Sequence, residues 1–461
     1  MADDSAAAAK EALETTVDDL RQVESELNTR WPETKIEPTL QRIAALVDLL
    51  GDPHKSYPVL HVAGTNGKTS VTRMIDALLT RIGLRVGRFT SPHLQLVTER
   101  IALDGAPITP ARYVEVFRDI EPYVAMVDRG AEVQMSKFEV LTGMAFAAFA
   151  DAPVDAAVLE VGLGGGWDAT NVADAKVAVI TPIEIDHVEY LGSDLAGIAK
   201  EKAGIMKPGS IALLAEQRPE VADVLLRRSV EVDATVARAG MEFGVLRRDV
   251  AVGGQLLKLQ GLGGAYDEIF LPLHGTHQAN NAALALAAVE AFFGAGAQRM
   301  LDQDAIREGF SSLVVPGRLE RVRSAPSVFV DAAHNPHGAR ALATALEEDF
   351  GFRSLVGVIG VMKDKDARGI LATLEPVLNE VVVTTNSSER SMAAEELGEV
   401  ALEIFGPDRV EVRPRLDDAI DTALALAEAD AEEPLSGVGI VVTGSVVTAG
   451  EARAMFGKDP A

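Results

Sequence analysis

The chain has 461 residues, 48% of them apolar, which is enough for two or three domains with their own cores. Its 43 Lys+Arg against 69 Asp+Glu leave a formal charge of −26, which argues against nucleic-acid partners and anionic membrane surfaces. With no cysteine, disulfides, thiolate catalysis and thiolate metal sites are excluded. The N-terminus, Met1-Ala2-Asp3-Asp4-Ser5, lacks the basic and apolar regions of a secretory signal, and no apolar run approaches a membrane span. The expectation is a cytoplasmic, monomeric globular protein whose partners are small molecules.

Along the chain, Ala6 to Leu27 reads as a polar-surfaced helix broken by Trp31-Pro32, and Thr39 to Leu50 as a second helix before Gly51-Asp52-Pro53. Next comes Val59-Leu60-His61-Val62-Ala63, a short apolar run, and then Gly64-Thr65-Asn66-Gly67-Lys68-Thr69-Ser70. Small residues there let backbone N–H groups approach phosphate, and the following helix, Ser70 to Ile82, presents its positive end. Lys68 adds a charge for the β- and γ-phosphates, and the hydroxyls suit a magnesium-nucleotide. Only two residues separate the glycines, where the general Walker form has four. An ordinary turn is the competing reading of the loop alone.

Leu84 to Phe89 reads as the next strand, completing a βαβ unit. Ala156 to Val161 and Val177 to Thr181 are short Val- and Ile-rich runs suited to strands buried on both faces of a parallel sheet. Residues 231 to 273 suggest antiparallel hairpins, and His277 to Phe293 an alanine-rich helix. Val314-Val315-Pro316-Gly317 is the boundary candidate, giving domains 1–316 and 317–461. Beyond it, strands at Val328–Val330, Leu355–Ile359, Val381–Val383 and Val438–Val442 alternate with helices, the first spanning Pro336 to Glu348. The alanine-rich stretch 425 to 433 reads as helix and loop. The fold class is therefore α/β: a central phosphate-loop domain with N-terminal helices and a β-rich insertion, followed by a smaller doubly wound domain.

Several side chains fall at strand ends, where open α/β sheets bind ligands. Ser91, in Thr90-Ser91-Pro92-His93-Leu94, is either a magnesium ligand or part of a plain turn. Glu160 closes a buried strand ahead of the glycine-rich run Gly162 to Gly166, and a buried carboxylate requires a partner, for which a hard cation is suited. Asp186-His187 is either a structural pair or the source of a second-metal ligand, His187. Lys202 is either solvated surface charge or, near cations, an amine that takes up CO₂ to form a carbamate. Arg318 and Asp331 allow a linker salt bridge and a helix cap, or contacts to a nucleotide closed between two domains.

In this order the motifs resemble the Mur ligase superfamily, and within it the bacterial folylpolyglutamate synthases, from about Trp31 to Gly450. The short loop is that superfamily's form of the phosphate loop. The blocks Thr90–Leu94, Glu160–Asn171, Asp186–Gly192, Glu201–Ile205, Asp331–Pro336 and Thr443–Ser445 match its motifs. The resemblance implies ATP and two Mg²⁺ ions as cofactors, with Ser91, Glu160, His187 and a carbamylated Lys202 as magnesium ligands. Gly64, Thr65, Asn66, Gly67, Lys68, Thr69, Ser70, Asn281, Arg318 and Asp331 would bind ATP. Ser136, Lys137, Phe138 and Glu139 would contact a pterin or pteroate, with Trp167, Asp168 and Ala169 opposite. His334 and Ser445 would meet the incoming glutamate, and Lys68, Lys202 and His334 would be catalytic. Three positions depart from the pattern: Gly166 stands for arginine, Trp167 for leucine and Ala332 for glycine. The implied activity is ATP-dependent addition of glutamate to folates and to dihydropteroate. A cell-wall Mur ligase, a phosphate-loop ATPase and a non-catalytic nucleotide-binding module are the alternatives.

Overall fold

The computed structural model describes residues 17–31, 37–294, 299–429 and 437–460. Residues 17–28 are helical; the expected helix residues before 17, Pro32, and the part of the alanine-rich stretch after residue 429 lie outside the described residues. The N-terminal lobe is built on eight strands: β1 (Val59–Ala63), β2 (Val86–Phe89), β3 (Ile101–Leu103), β4 (Ala106–Pro107), β5 (Ala156–Glu160), β6 (Ala175–Ile180), β7 (Ile211–Leu214) and β8 (Thr235–Arg238). They lie in the order β4-β3-β2-β5-β1-β6-β7-β8. From β2 to β8 across the sheet all neighbours are parallel, and β3 and β4 add an antiparallel edge.

Every residue of β1 and β5 is buried, as expected of strands covered on both faces. One face packs on the helices Lys68–Ile82 and Thr276–Phe292. The other packs on the helices Gln41–Leu49, Pro110–Gly130 and Lys137–Asp151. Thr276–Phe292 is buried almost all round. Its alanines allow that, because small side chains let neighbouring layers close in on every side. Strands β9 (Gly244–Ala251), β10 (Gly254–Gln260) and β11 (Ala265–Leu271) form the antiparallel unit expected within 231–273. Residues 235–238 differ from that expectation: as β8 they pair parallel with β7 and extend the large sheet.

The C-terminal lobe carries β12 (Glu320–Ser324), β13 (Ser327–Val330), β14 (Ser354–Ile359), β15 (Glu380–Val383), β16 (Val410–Val412) and β17 (Val438–Thr443), ordered β12-β13-β17-β14-β15-β16. Only the β12–β13 pair is antiparallel. Apolar clusters cover both faces of this sheet. Among the described residues no helix is long and apolar enough to cross a membrane.

Candidate active site

The carboxyl ends of β1, β2, β5 and β6 open on a cavity of about 1680 Å³ shared with the C-terminal lobe. Pockets for one small ligand measure roughly 300–1,000 Å³, and this space is larger.

The phosphate loop turns at two glycines, with φ of +146° at Gly64 and +90° at Gly67. A Cβ on Gly64 would sit 1.8 Å from Thr181 Oγ1, and one on Gly67 2.9 Å from Asn281 Oδ1. Thr65 N and Asn66 N donate to Pro182 O, which fastens the loop to the segment after β6. The first intrahelical bond runs from Val71 N to Gly67 O, so the amides of Lys68, Thr69 and Ser70 lie ahead of the helical ladder, where anions bind. Thr65, Asn66, Gly67, Lys68, Thr69 and Ser70 all line the cavity.

Gly64 lies behind the wall, and its carbonyl does something the motif does not reveal. It accepts from Lys68 Nζ at 3.2 Å and from Lys202 Nζ at 2.7 Å. Lys202 is buried, its helix Leu195–Ala203 ending against the glycine-rich loop. A Cβ on Gly165 would come within 2.6 Å of Glu201 O and 3.0 Å of Lys202 Cα. Burial, with the nearby Lys68 charge, pushes the Lys202 amine down to about 7. Lys202 does not reach the cavity wall as its bare amine.

Glu160, the last residue of β5, is buried and accepts from Thr69 Oγ1 at 2.8 Å and Ser91 N at 3.4 Å. Burial raises its pKa, and the Lys68 charge opposes that rise; burial lowers the Lys68 pKa, and Glu160 opposes that fall. A buried carboxylate supported by a hydroxyl and one weak amide contact, with Lys68 as a nearby charge, has the oxygen chemistry that suits a hard cation. Ser91 and His187 share the cavity with it. Burial lowers His187 to about 3, leaving the neutral ring that metal coordination needs. Glu160 therefore has the chemistry a magnesium ion needs, although among the described residues no three His, Asp or Glu side chains are gathered closely enough to hold a metal ion by themselves.

From the C-terminal lobe, Arg318, Asp331, His334 and Ser445 line the cavity, as does Asn281 from the helix Thr276–Phe292. Asp331 accepts from Leu319 N and Ala333 N, each at 2.8 Å, and burial raises its pKa. His334 Nδ1 lies 2.9 Å from Ala332 O, and its Nε2 is 3.6 Å from Asp186 Oδ2. One ring nitrogen thus faces a backbone carbonyl and the other a carboxylate, both of them acceptors. Ser445 also has a structural part: its buried hydroxyl caps the helix Val446–Met455, taking Thr448 N at 3.0 Å and Asn386 Nδ2 at 3.2 Å.

At the other end of the cavity, Ser136 and Glu139 form a capping box, and Glu139 accepts from Arg42 Nε at 3.0 and 3.2 Å. Those two side chains are held by each other and by Arg42. Phe138 lines the wall, but Lys137 does not; its Nζ donates to Asn28 Oδ1. Trp167, Asp168 and Ala169 line the opposite side. The Asp168 carboxylate is taken up by its own turn, accepting from Leu163 N at 2.9 Å and from Thr170 N and Oγ1 at 3.0 and 2.5 Å. Trp167 folds back on Gly164, where a Cβ would meet its ring at 2.9 Å.

Lys365 went unread in the sequence. Its Nζ lies 2.6 Å from Asp186 Oδ1, and both side chains are under 10% exposed. Asp186 also accepts from Asn335 Nδ2 at 2.8 Å, and Asn335 exchanges side-chain bonds with Asn66 of the phosphate loop. Burial alone would raise the Asp186 pKa, but the hydrogen bond from His334 and the Lys365 charge hold it well below the usual carboxylate range. Asp186 thus joins the two lobes as an ionised carboxylate. The available signal was positional: Lys365 follows the end of β14, as the other site residues follow theirs.

Residues 62–289 match the Mur ligase middle domain, and residues 317–446 match the Mur ligase glutamate ligase domain. The chain belongs to the Mur ligase family. A dihydrofolate synthase/folylpolyglutamate synthase of Mycobacterium tuberculosis is 61% identical over 460 residues, covering 96% of this chain and 94% of that protein. The Escherichia coli dihydrofolate synthase/folylpolyglutamate synthase is 34% identical over 370 residues, 78% of this chain and 81% of the other. Among solved structures, Mycobacterium tuberculosis folylpolyglutamate synthase complexed with ADP superposes with a TM-score of 0.93 at 60% identity, over 97% of this chain and all of the other. Escherichia coli FolC in complex with DHPP and ADP gives 0.83 at 32% identity, over 95% and 97%. This Mur ligase therefore has the α/β fold and the family expected from its motifs.

Proposed function

We propose that this chain is an ATP-dependent ligase that joins L-glutamate to folates, and also to dihydropteroate, through an acyl phosphate. The observation that carries the reading is one cavity, at the carboxyl ends of β1, β2, β5 and β6, walled by the phosphate loop on one lobe and by Arg318, Asp331, His334 and Lys365 on the other. Relatives matched over 96% and 78% of the chain are named for these two activities, and one solved structure holds DHPP with ADP.

A carboxylate is a poor electrophile, so the acceptor must be activated. Its oxygen attacks the γ-phosphorus of ATP, giving an acyl phosphate and ADP. Lys68 and the helix amides at Lys68 to Ser70 hold the phosphates and offset the repulsion between two anions. Ser91, Glu160, His187 and a carbamylated Lys202 would hold magnesium, which supplies further positive charge to the triphosphate. Arg318, Asp331 and Asn281 orient the nucleotide. The amine of glutamate then attacks the acyl carbon, phosphate departs, and an amide remains. His334 takes the proton of the incoming ammonium. The two domains, 1–316 and 317–461, close about Pro316-Gly317 and keep water from the acyl phosphate. Lys202, with an amine near neutrality, is chemically suited to CO₂ uptake, since only the unprotonated amine adds to CO₂.

The deciding assay measures ADP release with dihydropteroate, tetrahydrofolate or a UDP-muramyl acceptor, each with and without L-glutamate. Glutamate-dependent turnover with the two pterin acceptors is expected. Turnover with the muramyl acceptor alone would replace this reading with that of a cell-wall ligase, and glutamate-independent turnover would replace it with a simple ATPase.

A further inference from the structure

Glu99 is buried and absent from the cavity wall, yet it governs the loop that carries Ser91. Its two carboxylate oxygens accept three consecutive amides: Leu94 N on Oε2 at 2.8 Å, and Gln95 N and Leu96 N on Oε1 at 3.0 and 2.9 Å. The loop so held faces both lobes. Toward the cavity, Ser91 N donates to Glu160. Toward the C-terminal lobe, Leu94 lies against Gly317 and Gly450; a Cβ on Gly450 would meet Leu94 O at 1.9 Å. Gln95 Nε2 donates to Lys458 O at 2.9 Å, and the Gln95 amide oxygen accepts from Arg453. Arg453 Nε donates to Glu320 Oε2 at 2.7 Å, and that same oxygen accepts from Gly317 N at 2.8 Å. Gly317 adjoins Arg318. One chain of bonds therefore runs from Glu99 to the turn that presents Arg318.

We propose that Glu99 is a positioning residue for ligation, setting Ser91 beside Glu160 in one lobe and, through Gln95, Arg453 and Glu320, the Arg318 turn in the other. This rests on the ligase reading above. Only a carboxylate fits the role, because three N–H donors converge on two acceptor oxygens. In Glu99→Gln, an amide oxygen at the Oε1 position keeps Gln95 and Leu96 but turns an NH₂ toward the Leu94 amide, and that bond is lost. Leu94 is the residue packed against Gly317 and Gly450.

The test pairs Glu99→Gln with the milder Gln95→Ala, which cuts the link to Arg453 and Lys458 but leaves the carboxylate in place. Hydrogen exchange of full-length protein, read on a peptide spanning 91–97, needs no turnover. Glu99→Gln should accelerate exchange there by about tenfold or more, with the phosphate-loop peptide unchanged. In steady state, kcat for glutamate-dependent ADP release should fall by about ten- to a hundredfold, with a smaller loss of ADP affinity transmitted through the Arg318 turn. The double variant should lose little more than the worse single variant, because both act through one loop. Unchanged exchange at 91–97 overturns the proposal, as does kcat within twofold of wild type, equal loss of ADP affinity, or fully multiplicative losses. If wild type itself shows no glutamate-dependent turnover, the ligase reading fails, a result distinct from any exchange outcome.

Discussion

Lys202 allows a prediction with an unusual sign. Its ammonium is buried, donates to Gly64 O and lies near Lys68, which donates to the same carbonyl. Lowering from 10.5 to about 7 corresponds to a penalty on the charged form on the order of 5 kcal/mol. Replacing it in Lys202→Met removes that penalty along with a charged hydrogen bond, a loss of roughly 1.5–3 kcal/mol; Gly64 O still accepts from Lys68. The variant should therefore be about 2 kcal/mol more stable than wild type at pH 6, while losing ligation. In wild type the native amine is depressed, so between about pH 7 and 10.5 the unfolded chain binds the extra proton and stability rises with pH. The penalty is full below pH 7 and shrinks above it, by about 3 kcal/mol between pH 7 and pH 9. The variant's advantage should therefore disappear by pH 9. Equilibrium urea unfolding in CO₂-depleted buffer without nucleotide reads the difference directly. A variant less stable than wild type at pH 6, or a difference that ignores pH, would refute the assignment of a strained, readily neutralised amine.

Other outcomes follow from neighbouring contacts. Glu160→Gln retains an acceptor for Thr69 but removes the charge, and should cut glutamate-dependent ADP release by at least a hundredfold, about 3 kcal/mol, in a protein whose thermal midpoint does not fall; a loss under tenfold would remove Glu160 from the metal-binding set. Lys365→Met leaves Asp186 buried without its ammonium and should cost about 3–5 kcal/mol of lobe contact, seen by X-ray scattering as a larger radius of gyration with nucleotide bound; an unchanged radius would show the lobes held by other contacts. At Gly166 a Cβ would be in ordinary contact, with the flexible end of Glu201 nearest, its Oε2 at 3.4 Å. Gly166→Arg should therefore fold with stability within about 1 kcal/mol of wild type and alter KM for the pterin acceptor more than KM for ATP, and a collapse in stability would contradict that geometry.

Much of this was legible in the chain because local pattern and tertiary role coincide at strand ends. The apolar runs of β1, β5 and β6 lead straight into Gly64, Glu160 and the Asp186-His187 segment, so periodicity and chemistry pointed to one sheet edge. Composition did not reveal β12, whose charged residues Glu320, Arg321 and Arg323 suit an antiparallel edge rather than an apolar run. Nor did it reveal the side chains that consume one another. Ser445, Asp168, Ser136 and Glu139 stand in binding motifs, yet their polar atoms cap helices, close a turn or pair with Arg42. Only the hydrogen-bond partners separate such a residue from one held ready for ligand. Asp186 and Lys365 are 179 positions apart, and Glu99 acts through backbone amides. Pairings of that kind are set by topology, beyond the reach of spacing.

The central claim is that the acceptor carboxylate itself takes the phosphoryl group. With oxygen-18 in the carboxylate of dihydropteroate or tetrahydrofolate, one turnover with ATP and L-glutamate should place one labelled oxygen in the released phosphate, detected by its mass. Phosphate carrying no label, from a reaction that nevertheless forms the amide, would contradict the acyl-phosphate account.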